Sequence, residues 1–204
     1  TIDKLKSKYS EKIADHEKND FSKSLLIIGK QIKQIENLVN EFSDFARMPK
    51  PILKDNNLVS LIKDNIKLIN ELDNEIIIDL KSSKSNILLN CDSEQLSRVF
   101  LNLIKNSIES IQDKKIDNPN LMGKIDISIN ENEEKINFII IDNGIGFGIF
   151  ADNIKDILNP YFTTKKKGTG LGLSIVNKII NDHNGKINFL SLEDGAKIEI
   201  MFIK

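Results

Sequence analysis

Cysteine is all but missing from this chain of 204 residues: Cys91 stands alone. That excludes an intramolecular disulfide and any cysteine-based metal cluster, and it suits a reducing, cytoplasmic setting for this portion. Tryptophan is absent, and histidine occurs only at His16 and His183. No apolar run approaches the roughly 20 residues that cross a bilayer as a helix, and no signal peptide is visible. Membrane attachment is expected only through segments outside this stretch. An excess of one charge is missing too. Twenty-nine Lys and Arg face 30 Asp and Glu, a formal net charge of −1. No basic stripe stands out, so nucleic acid is not an expected partner. What the chain does have is 40% hydrophobic residues, enough for a packed core, and 29% charged residues for a hydrated surface. The length fits one large domain or a domain with an appendage. The chain opens in a helical pattern without an initiator Met, so it is expected to belong to something longer.

Phe21, Leu25, Ile28, Ile32, Ile35, Val39 and Phe42 alternate in steps of four and three. This a/d pattern predicts a helix over 17–47 that packs in a bundle or coiled coil, ended by Pro49 and Pro51. An amphipathic helix packed on its own domain would share part of the pattern. Residues 1–9 read as the end of a preceding helix and 10–16 as a turn, so 1–47 forms an antiparallel hairpin truncated on its first arm. A linker follows over 48–55. Beyond it, Leu58, Ile62, Ile66 and Ile69 mark a helix over 56–72. β-prone runs at 76–80 and 87–90 flank a polar loop and predict a hairpin. A helix over 93–112 and strands at 124–130 and 135–141 come next. Residues 148–167 keep no period and are expected to be mobile. A helix over 171–182 stops at Asn184-Gly185, with Gly185 taking the left-handed conformation. Strands at 186–192 and 196–203 close the chain. The order describes an α+β fold, a two-layer sandwich with helices on one sheet face, preceded by the long helix.

Four stretches carry chemistry. Asn102, Asn106 and Glu109 are spaced i, i+4, i+7, so three polar groups share one face of an otherwise apolar helix. Hydrated Mg²⁺ with phosphate oxygens would satisfy such a face; so would solvent. Asp142-Asn143-Gly144-Ile145-Gly146 follows a continuously apolar run, which points to a central strand and a buried strand end. A carboxylate beside two glycines suits close approach of backbone to a flat ligand, although Asp-Asn-Gly is also a common turn. Phe162, Thr163, Thr164 and Lys165 to Lys167 set an aromatic and two hydroxyls before three cations. Gly168-Thr169-Gly170-Leu171-Gly172 opens a helix, and free N–H groups at a helix start favour phosphate. Each piece alone is weak evidence.

Together and in this order they resemble the ATP-binding fold of sensor histidine kinases, the Bergerat fold shared with the gyrase, Hsp90 and MutL ATPases. The resemblance covers 56–204. Residues 40–51, Asn40 through Phe45-Ala46-Arg47-Met48-Pro49 to Pro51, are similar to the end of the dimerisation helix in nitrogen-regulation kinases of the NtrY type. The resemblance implies that Asn106 ligates Mg²⁺ and that Asp142 accepts a hydrogen bond from the adenine amino group of ATP. Gly144 and Gly146 would lie against the base. Lys165 to Lys167 would ride on a lid over the phosphates, and Gly168, Gly170 and Gly172 would offer N–H groups. Asn102, Glu109, Phe162, Thr163, Thr164, Thr169 and Leu171 complete the nucleotide-binding set. The ATPase cousins place Glu at the position of Asn102; an amide cannot take a proton from water, which favours phosphoryl transfer over hydrolysis. Asn159 departs from the acidic residue usual before Pro-Tyr-Phe. The implied activity is transfer of the γ-phosphoryl of ATP to a histidine and on to a response-regulator aspartate, in a homodimer. A nucleotide-binding pseudokinase and an anti-sigma-type serine kinase are the alternatives. His183, at a helix end where the dipole favours partial protonation, reads as structural. His16 precedes the second hairpin helix rather than lying on the first, so the phosphoacceptor is expected upstream of Thr1.

Overall fold

The computed structural model describes residues 2–9, 15–71, 75–147, 156–163, 165 and 168–204. They fall into two units, Thr1–Met48 with Lys165–Thr169 and Pro49–Thr164 with Gly170–Lys204. The first holds α1 (Ile2–Tyr9) and the 32-residue α2 (Asp15–Ala46). Residues 10–14, where most of the expected turn falls, lie outside the described residues. On α2, Leu25 is buried, whereas Ile28, Ile32, Ile35, Val39 and Phe42 of the same a/d stripe are exposed, Ile35 at 62%. No helix among the described residues is long and apolar enough to cross a membrane.

In the second unit the last two residues of the expected linker, Lys54 and Asp55, already belong to a strand. Lys54–Asn57 is a strand, β1, followed directly by α3 (Leu58–Asn70). Asn57 caps α3, its side chain accepting from Val59 N at 3.1 Å, and Leu58, Val59, Ile62, Ile66 and Ile69 are buried. β2 (Ile77–Ser82) and β3 (Leu88–Cys91) do not form the expected hairpin. β2 pairs in parallel with β4 (Lys124–Glu131), and β3 pairs antiparallel with β1, Lys54 opposite Cys91. The polar stretch between them is long enough to leave the sheet. It bends where Ser82 Oγ donates to the Lys84 carbonyl at 2.6 Å, while Ser83 N still donates to Ile129 O in the β2–β4 direction.

α4 (Ser93–Asp117) outruns the expected helix by five residues. Asp92 caps it, accepting from Glu94 N and Gln95 N. Burial alone would raise the Asp92 carboxyl, but backbone N–H bonds from Ile52, Gln95 and Glu94 outweigh it and hold the group below its usual value. β4, β5 (Lys135–Asp142), β6 (Gly185–Leu192) and β7 (Gly195–Ile203) join β2 in a five-stranded sheet of order β2-β4-β5-β7-β6. Side chains alternate along the three central strands. Ile125, Ile127, Ile129, Ile136, Phe138, Ile140, Ile198, Ile200 and Phe202 are buried beneath the helices. Leu96, Val99, Phe100, Leu103 and Ile104 of α4 meet them, with the Phe100 and Phe138 rings 5.0 Å apart. Helix α5 (Gly172–Asp182) adds Ile175, Val176, Ile179 and Ile180. The sandwich matches the expected α+β class.

The end of α5 corrects the sequence reading. Asn184, not Gly185, takes the left-handed conformation, at φ 54°; asparagine tolerates that region. Gly185 is needed for space instead, because a Cβ there would sit 3.0 Å from both Ile180 Cγ2 and Phe202 Cδ1.

Candidate functional site

Asp142 ends the central strand β5 and is 5% exposed. One carboxylate oxygen accepts from Ser107 Oγ at 3.0 Å and the other from Gly144 N at 2.9 Å. Burial pushes the carboxyl above its ordinary value, against the bonds from Gly144, Ser107 and the Ala196 backbone. The two hydrogen bonds from Ser107 and Gly144 occupy about half of the roughly four acceptor directions of a carboxylate, leaving room for an outside N–H. Gly144 is packed on α4: a Cβ there would meet Ser110 Oγ at 2.2 Å, and Ile145 N donates to that hydroxyl at 3.0 Å. Gly146 has φ +68° and would press a Cβ to 2.6 Å from Gly195 O. The two glycines therefore let protein close on protein, a reason other than the ligand contact expected from sequence.

On α4 the three polar residues are graded. Asn102 and Asn106 are half-buried, and Glu109 is exposed. Asn102 Nδ2 donates to Arg98 O at 2.9 Å, which leaves its oxygen 3.4 Å from where a Gly172 Cβ would stand. Asn102 thus faces the start of α5. There Leu171 is the N-cap residue, and its own side chain gives no capping bond. Gly170 has φ +71°, its Cβ position 2.4 Å from the Tyr161 carbonyl carbon, and Tyr161 N donates to Gly170 O at 3.0 Å. Phe162 N bonds to Asn159 O, and Thr163 is exposed. Lys165, Gly168 and Thr169 belong to the helical unit. Within it Gly168 N donates to Lys165 O, and the Thr169 hydroxyl donates to the Glu41 carboxylate of α2. Thr164, Lys167 and most of the stretch expected to be mobile lie outside the described residues.

His183 has both ring nitrogens committed. Nδ1 lies 2.8 Å from Ile179 O and so donates, and Nε2 accepts from Asp92 N at 3.0 Å. The ring thereby fastens α5 to the start of α4. The His16 side chain lies outside the described residues. Among the described residues no three His, Cys, Asp or Glu side chains cluster to hold a metal. Sequence reasoning gave no role to Ser107, Ser110, Lys114 or Gly195. Only Ser107 had a signal, standing between Asn106 and Glu109; the others act through contacts distant in the chain.

The sequence model for the histidine kinase-, DNA gyrase B- and HSP90-like ATPases matches residues 91–204. A putative NtrY-like sensor histidine kinase of Rickettsia prowazekii is 34% identical over 201 residues, 98% of this chain and 32% of its own length. The nitrogen regulation protein NtrY of Azorhizobium caulinodans is 32% identical over 195 residues, 96% of this chain and 25% of its own. The chain thus spans about a third or less of the length of these curated relatives. Among solved structures, the nucleotide-free catalytic domain of the histidine kinase ThkA is 28% identical with a TM-score of 0.63, covering 74% of this chain and 95% of that one. ThkA in complex with the response regulator TrrA covers 100% of this chain and 56% of that one, with a TM-score of 0.72; at 24% identity it speaks for the fold.

Proposed function

Because the chain belongs to the family of histidine kinase-, DNA gyrase B- and HSP90-like ATPases, we propose that it is the ATP-binding catalytic portion of a two-component sensor histidine kinase, preceded by part of its dimerisation hairpin. An ATPase fold implies ATP as the nucleotide. Asp142 carries the reading. A buried carboxylate with acceptor capacity left over from its two protein bonds suits the exocyclic amine of adenine, an N–H donor. The α5 start supports the phosphate end, since the positive end of a helix attracts anions. Gly170 and Gly172 lie on that segment. Mg²⁺, when bound, neutralises charge on the phosphates. Asn106, half-buried on α4, would hold the ion together with phosphate oxygens and water. Glu109, exposed, would act only at the rim.

Asn102 supplies no base for water, and its amide is already held by Arg98 O. Positioning and charge neutralisation favour transfer to a nucleophile over hydrolysis. That nucleophile would be a histidine on the first hairpin helix, upstream of Thr1, with a response-regulator aspartate as the next acceptor. The test is transfer of radiolabelled γ-phosphate. Label should appear, acid-labile, on a separately added hairpin carrying the upstream histidine box, and not on this chain alone, because effective molarity vanishes without a placed nucleophile. Acid-labile label on the chain alone, lost in His16→Ala, would contradict this.

The exposed stripe of α2 supports a homodimer, since each buried Ile or Leu is worth about 1.5–3 kcal/mol. Ile32→Asp with Ile35→Asp should give a monomer by sedimentation. A wild-type chain that stays monomeric at high concentration would remove the dimer.

A further inference from the structure

Lys114 lies one helical turn beyond Ser110 on α4, and an ammonium has three N–H donors. It donates to Asn143 O at 3.0 Å, to Gly144 O at 3.1 Å and to the Asp194 carboxylate. The lysine side chain is 24% exposed and the aspartate 72%, so a largely withdrawn cation is anchored by an outer carboxylate. One side chain thereby joins α4, the turn after Asp142 and the turn between β6 and β7. The second turn is already pressed on the first, because a Cβ on Gly195 would stand 1.8 Å from Asp142 O.

We propose that Lys114 is a positioning residue for adenine recognition, clamping the Asn143–Gly144 peptide so that the Asp142 carboxylate is held in one orientation towards the base. This rests on reading Asp142 as the adenine contact. The peptide between Asn143 and Gly144 is a rigid plane with its oxygen and its hydrogen on opposite sides. Lys114 holds the oxygen, and the N–H of the same plane bonds to Asp142 Oδ1 at 2.9 Å. A plane fixed at both edges cannot flip, so the carboxylate keeps its aim. The lysine charge acts in the same sense by favouring the ionised carboxylate against burial. Of the groups that bond to that carboxylate, neither the Ser107 hydroxyl nor the Gly144 N–H titrates.

The test is calorimetry of Mg-ADP binding across pH with the whole chain, alongside thermal melts. Lys114→Met should weaken binding about tenfold, the scale of losing a charge-assisted bond. It should also raise the pH at which affinity falls off. Lys114→Arg, which keeps the charge, should recover part of both. Wild-type affinity in Lys114→Met would overturn the proposal. So would weakened binding with an unmoved pH profile and no recovery by Arg, the mark of a merely structural lysine. If Lys114→Met does not fold, Asp194→Asn replaces it: weaker binding at an unchanged melt is expected, and unchanged affinity overturns the clamp. A wild-type chain that binds no adenine nucleotide would sink the underlying reading and the clamp with it, whereas normal wild-type binding with an indifferent Lys114 sinks the clamp alone.

Discussion

Glycine recurs in the turn after β5 and again before α5, but the chain itself requires it in different measure at the two places. Around Asp142 the room for a side chain is already taken. Ser110 fills the space at Gly144, the Gly195 carbonyl that at Gly146, and the Asp142 carbonyl that at Gly195. Gly170 is likewise closed off by the Tyr161 backbone. At Gly172 the nearest neighbour of a Cβ is Asn102 Oδ1 at 3.4 Å, an ordinary contact, and φ is not positive. Glycine at the Asp142 turn is thus a folding requirement that presets one acceptor. At Gly172 it is not one, and the proposed approach of a phosphate to the start of α5 would account for glycine there.

Gly195→Ala should strain this comparison most. Positive φ costs about 1–2 kcal/mol for a residue with a Cβ, and overpacking typically costs about 1–3 more. Denaturant melts should therefore show a loss of roughly 2–5 kcal/mol; a loss under about 1 kcal/mol would mean that the turns are not locked together. Asp142→Asn should act in the opposite sense on stability. A carboxyl whose folded value is raised favours folding below its unfolded value, and that stability is lost as pH rises through the folded value. At neutral pH the buried charge is therefore a cost. Asp142→Asn should melt no lower than wild type there, and a clearly lower melt would show that the charge is needed for folding. Gly172→Ala should be the mildest, its stability unchanged or raised by roughly 0.4–1 kcal/mol through the unfolded chain. Its ATP affinity should fall all the same. Unchanged affinity would remove the ligand as the reason for that glycine.

Local signals made most of the fold legible. The 3.6-residue and two-residue periods marked α3, α4, α5 and β4 to β7, because one face of each is buried in a single core. Strand pairing was not local and was misread. Nothing in 76–90 distinguishes a hairpin from two strands that leave for β4 and β1, since the partners lie elsewhere in the chain. β1 carries four polar or charged residues and had no apolar pattern to betray it. In the site, Asp142 and the glycines stood out through composition. Lys114 and Ser110 did not, since a lysine and a serine on a helix read as a solvated face until the turn at 143–145 is laid across them. His183 was legible as structural, but its partner, the N–H of Asp92 ninety-one residues away, was not.

The measurement that bears most directly on the account is calorimetric titration of ATP with Mg²⁺ into wild type and Asp142→Asn. Wild type should bind, and the variant should lose about 1.5–3 kcal/mol, roughly one to two orders of magnitude in affinity, with the fold intact. Equal affinity in the two proteins would contradict it.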